Sequence, residues 1–76
     1  MNRDEIFEFI GYRIADARKA LGLNQTEMGK KCGIHRTTIS RIEEGEINVS
    51  AFTLIKIAKA LGLSPSKIFE GKHWHD

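Results

Sequence analysis

Apolar residues recur along this chain at intervals of three and four. Ile6, Ile10, Ile14, Ala17 and Leu21 fall on one stripe, the spacing that lines one face of an α-helix. Leu54, Ile57, Ala58 and Leu61 repeat the stripe further on. No stretch alternates convincingly with period two, so strands are not expected. The pattern predicts five helices, over about residues 4–21, 25–32, 36–43, 51–61 and 65–70.

The boundaries rest on punctuation between the stripes. Gly22, Gly33, Gly45 and Gly62 each follow a helical run, where a left-handed residue ends a helix. Asn24, Ser50 and Ser64 are suitable N-caps, since their side-chain oxygens accept from first-turn N–H groups. Asn24 and Glu27 have capping-box spacing, and Pro65 suits the first helical position. The pairs Leu23/Met28, Ile34/Ile39, Val49/Leu54 and Leu63/Ile68 fit hydrophobic staples around the proposed starts. Lys19-Ala20-Leu21-Gly22-Leu23 and Lys59-Ala60-Leu61-Gly62-Leu63 are near copies. They read as one helix-ending motif used twice, since a repeat architecture needs more copies and a longer period.

Length and composition narrow the class. Seventy-six residues suffice for one all-α domain, expected to span 1–76, with a loosely ordered tail over 71–76. No apolar stretch approaches the ~20 residues of a membrane span. Residues 1–9 carry Arg3 but also Asp4, Glu5 and Glu8, unlike a signal peptide. Cys32 is the single cysteine and cannot form an internal disulfide. A cytoplasmic protein is therefore expected. The net charge of +2 permits an anionic partner without demanding one, so charge placement matters more than the total.

The second and third predicted helices are short and joined by Gly33-Ile34-His35. Such a turn is the signature of a helix-turn-helix, here over about 25–43. One helix can then cross the DNA backbone while the other enters the major groove. The ordered set Leu21-Gly22-Leu23-Asn24-Gln25-Thr26-Glu27-Met28, Cys32-Gly33-Ile34 and Thr38-Ile39-Ser40-Arg41-Ile42-Glu43-Glu44-Gly45 resembles the XRE family. That family includes phage repressors, Cro proteins, restriction–modification controller proteins and some antitoxins. The resemblance runs over about residues 10 to 69. It implies a five-helix lambda-repressor-like fold and a DNA-binding transcription regulator, dimeric on a near-palindromic site. Three positions depart from the family pattern. Gly29 stands where Ala is usual, Met28 where Leu is usual, and His35 where a Ser or Thr cap is frequent. Gly29 fits the close approach of the second and third helices there but should cost ~1 kcal/mol of helix stability relative to Ala, and His35 should cap poorly.

DNA binding needs side chains at base edges and donors at phosphates. Arg36 and Thr37 open the third helix, and Ser40 and Arg41 lie one turn on. These four are the candidate base readers, with the arginines suited to guanine O6 and N7. The plainer reading of either arginine is a solvated surface charge. Gln25 opens the second helix, and a helix N-terminus favours an anion. The resemblance assigns Gln25 to a phosphate. His35, Asn48 and Ser50 are further phosphate candidates, although Ser50 suits a cap equally well. The resemblance also implies a structural ion pair between Arg18 and Glu43, which would neutralise a carboxylate beside the reading face. Phe52 and Ile55 lie off the core stripe of the fourth helix. With Phe69 and Trp74 they are the candidate homodimer contacts, Phe69 suiting the core equally well.

Other chemistries find less support. His73 and His75 alternate around Trp74, but two tail histidines lack the spacing of a zinc site. Cys32 and His35 lack a third group for nucleophilic catalysis, and Cys32 reads as a small core residue. No metal, cofactor or enzymatic activity is expected. The competing class is a protein-binding module, either an adaptor or an antitoxin docked on a toxin. Such a surface would show apolar groups on the third helix where Arg36 and Arg41 stand.

Overall fold

The computed structural model describes residues 2–70, and every regular element among them is an α-helix. The helices are α1 (Arg3–Ala20), α2 (Gln25–Cys32), α3 (Arg36–Glu43), α4 (Ala51–Ala60) and α5 (Pro65–Ile68). Trp74, His73 and His75, and the expected loose tail over 71–76, lie outside the described residues.

The caps explain most of the starts. At α2 the capping box is complete: the Asn24 side chain accepts from Glu27 N–H at 2.8 Å, and Glu27 Oε1 accepts from Asn24 N–H at 2.8 Å. Ser50 Oγ accepts from Thr53 N–H at 3.1 Å to open α4. Asn2 caps α1 by accepting from Glu5 N–H at 2.9 Å, so α1 begins at Arg3, one residue before the expected start. Ser64 holds the N-cap position of α5 but makes no side-chain cap bond. Its hydroxyl instead pairs with that of Ser66 at 3.1 Å. Pro65, which lacks an N–H to satisfy, sets the first turn there.

The stops are left-handed. Gly22, Gly33, Gly45 and Gly62 have φ of 72, 71, 73 and 72°, a region costly for any residue with a Cβ. Helices α1, α4 and α5 end one or two residues before their expected ends. Leu21 belongs to the cap of α1 rather than its core stripe, and it is 52% exposed.

Ile10, Ile14, Met28, Cys32, Ile39, Ile42, Ile57, Ala58, Leu61 and Ile68 form one buried cluster. The staple residues Leu23, Ile34, Val49 and Leu63 pack against its rim. Helix α1 packs on α3 and α5, α2 on α3 and α4, and α4 on α5. Gly11 permits the first of these contacts: a Cβ there would run into the backbone carbonyls of Ile42 and Glu43. Arg13 ties α1 to α5 by donating from Nη2 to the Lys67 carbonyl at 2.7 Å and from Nε to that of Ile68 at 3.3 Å.

Candidate nucleic-acid interface

The turn between α2 and α3 is closed by main chain. Ile34 N–H donates to the Gly29 carbonyl at 2.8 Å, and Gly33 supplies the left-handed step. A Cβ on Gly29 would collide with the Ile34 carbonyl oxygen and lie 3.3 Å from Arg36 N. Glycine at position 29 is therefore not a simple propensity loss, because the turn leaves no room for the alanine methyl without moving backbone. His35 does cap α3, contrary to the sequence expectation. Its Nδ1 accepts from Thr37 N–H at 3.1 Å. In the neutral ring the proton must then sit on Nε2, which becomes a donor.

Helix α3 has a clean division of faces. Ile39 and Ile42 are buried, while Arg36, Thr37 and Arg41 are exposed and Ser40 is half-buried. Positions 36, 37, 40 and 41 share one side of the helix. No ion pair among the described residues engages Arg36 or Arg41. Beyond the end of α3, the Glu46 carboxylate, by accepting from protonated Glu44 and by its negative charge, holds the Glu44 carboxyl above its ordinary value, opposed by the Ser40 hydroxyl.

Behind this face lies a buried polar knot. Arg18 Nε stands 2.7 Å from Glu43 Oε2, and Nη2 donates to Oε1 at 3.0 Å. This is a bidentate pair of side chains 10% and 6% exposed. Arg18 Nη1 donates to the Leu23 carbonyl at 2.7 Å. Hydrogen bonding to Glu43 raises the Arg18 pKa further above its ordinary value. Glu43 Oε1 also accepts from Gln25 Nε2 at 3.1 Å. The structure therefore joins three residues that the sequence offered as one pair and one separate phosphate ligand. Nothing local signals that link, because Gln25 and Glu43 are 18 positions apart.

At the start of α4, Asn48 is exposed. The Ser50 hydroxyl is engaged within its own turn, donating to Thr53 Oγ1 at 3.0 Å while capping Thr53 N–H. Phe52 and Ile55 are 72% and 52% exposed, and Lys56 Nζ lies 5.4 Å from the Phe52 ring centroid. Phe69 is half-buried against the core, and Trp74 lies outside the described residues. Cys32 is buried, and burial pushes its thiol up, opposed by Lys56 and Lys31. Among the described residues no helix is long and apolar enough to cross a membrane.

A family model described as helix-turn-helix, HTH_3, matches residues 14–68. The control protein C.BamHI of Bacillus amyloliquefaciens is 42% identical over 48 residues, 63% of this chain and 59% of that protein. The fold is similar to the crystal structure of the restriction-modification controller protein C.AhdI from Aeromonas hydrophila. The TM-score is 0.83 at 31% identity, covering 86% of this chain and 98% of that one. It is also similar to the P22 c2 repressor, crystallised in complex with a synthetic operator. There the TM-score is 0.75 at 33% identity, over 83% of this chain and 96% of that one.

Proposed function

This chain belongs to the HTH_3 helix-turn-helix family of DNA-binding transcription regulators, and from that premise we propose that it reads a near-palindromic operator as a homodimer through α3. The observation that carries this reading is the outer side of α3: Arg36, Thr37, Ser40 and Arg41 on one side, with Ile39 and Ile42 buried on the other. A helix so divided can enter the major groove without disturbing its own core. Arg36 and Arg41 are the base readers, since guanidinium forks match guanine O6 and N7. Gln25, His35 and Asn48 hold phosphates. Ser50 serves its helix as a cap, and its neighbourhood meets the backbone through the α4 N-terminus. The Arg18–Glu43 pair keeps a carboxylate beside the interface neutralised.

One recognition helix reads few base pairs, so two copies are placed about one turn of DNA, ~34 Å, apart. Phe52 and Ile55 form the proposed contact between copies, because they are the exposed apolar pair on α4. The polarity of the α3 surface argues against α3 as a protein-docking face.

The test is Arg36→Ala. Its affinity for the preferred site should fall by ~1–3 kcal/mol, with base preference flattened at one position per half-site. Uniform weakening on all sequences would make Arg36 a phosphate contact and overturn the assigned reading face.

A further inference from the structure

Gln25 is gripped from outside its own helix. Its Nε2 donates to Glu43 Oε1 at 3.1 Å, the oxygen that also accepts from Arg18 Nη2 at 3.0 Å. Glu43 is itself held rigidly, with Oε2 on Arg18 Nε at 2.7 Å, and Arg18 is anchored to the Leu23 carbonyl at 2.7 Å. A carboxylate only accepts hydrogen bonds. It therefore selects which end of the Gln25 carboxamide turns inward: one Nε2–H faces Glu43, and the other is left to donate outward.

The same end of α2 has two further donors. The capping box uses the N–H groups of Asn24 and Glu27, and Met28 N–H donates to the Asn24 carbonyl. The first two helical N–H groups, on Gln25 and Thr26, have no intrahelical acceptor. We propose that Glu43 is a positioning residue for DNA backbone binding: through Gln25 it presets a three-donor phosphate clamp before DNA arrives. Arg18 acts one step behind, by holding Glu43. This rests on the reading of Gln25 as a phosphate contact. The physical gain is preorganisation, because a side chain already fixed loses little rotamer freedom on binding.

The consequence is coupling between Gln25 and the buried pair. The test measures binding of the full chain to a random-sequence duplex of about 20 base pairs, roughly two helical turns, at several salt concentrations. In the wild-type background, Gln25→Ala should weaken binding about ten- to a hundredfold, the scale of one net hydrogen bond to a charged acceptor. In a background carrying Arg18→Met and Glu43→Leu together, which removes both charges at once, Gln25→Ala should cost less than about twofold, because the side chain is no longer held. An equal cost in both backgrounds overturns the positioning role and leaves Gln25 as a phosphate contact. No cost in either background removes Gln25 from the interface, and the reading beneath the proposal fails with it.

A second measurement stands without any variant. Gln25 is the only glutamine in the chain, so its side-chain amide resonance is unambiguous. In DNA-free wild-type protein its order parameter should approach backbone values and exceed that of the exposed Asn48 amide. A Gln25 amide as mobile as Asn48 overturns the proposal even if the charge-free background fails to fold.

Discussion

Replacing Arg18 by Met tests how the buried pair governs stability. The change removes the partner of a carboxylate only 6% exposed, leaving it the Gln25 Nε2 donor and freeing the Leu23 carbonyl from its bond to Nη1. An uncompensated buried charge of this kind costs about 3–5 kcal/mol. At roughly 0.05–0.15 kcal/mol per residue, a domain of 76 residues holds only about 4–11 kcal/mol in total. Arg18→Met should therefore bring the protein close to its unfolding threshold at 25 °C, and Glu43→Leu should do nearly the same by stranding the guanidinium. The double variant should recover most of the loss, since two matched apolar side chains remove both desolvation penalties at once. The remaining deficit is the orphaned Leu23 carbonyl, about 1 kcal/mol, together with the acceptor that Gln25 Nε2 loses. Urea melts of the four proteins, followed by circular dichroism, give the cycle directly. A loss under about 1 kcal/mol for Arg18→Met, the value of an exposed pair, would refute the claim that burial governs this knot. So would strict additivity in the double variant.

Three further outcomes follow from single contacts. His35→Ala removes the acceptor for Thr37 N–H and should lower stability by about 0.5–2 kcal/mol, with His35→Ser retaining most of it in the same melt. For Gly29→Ala, a propensity gain of ~1 kcal/mol meets an overpacking cost of about 1–3 kcal/mol at the Ile34 carbonyl; the variant should be no more stable than wild type, and a higher melting temperature would contradict the crowding. Because burial raises the Cys32 thiol, the unfolded chain loses that proton first as pH climbs, so stability is full below the ordinary thiol range and declines above it. Cys32→Ala should abolish that alkaline decline, and a thiol reagent should modify the native protein far more slowly than the urea-unfolded chain.

What the sequence revealed of the fold was what local chemistry controls. The Asn24–Glu27 box, the Ser50 cap and the left-handed glycines act within one turn of their own positions, so their residue types suffice to place them. The staples also act locally, and the buried Met28, Ile39 and Ile68 follow from them. Leu21 was misplaced because periodicity cannot distinguish the last residue of a stripe from a cap. Gly11 gave only a weak signal, an isolated glycine within a helical pattern; its meaning depends on the closeness of α3. In the interface, the exposed face of α3 was legible from Ile39 and Ile42 alone. The bond from Gln25 to Glu43 was not, because it is set by the angle between α2 and α3 and the rotamers of both side chains.

Gly11 bears on how such a protein could acquire a different operator. The spacing of α1 and α3 is set by backbone against backbone, at the carbonyls of Ile42 and Glu43. The groups that seat α3 all lie on its inner side or at its ends. On the reading proposed above, exchange at positions 36, 37, 40 and 41 alters the text being read without altering the reader, and lineages or designers can vary those four residues as a cassette. The opposite holds at position 11: any side chain there pushes α3 outward and shifts positions 36, 37, 40 and 41 together, so on the same reading one methyl on α1 would blur recognition at every base.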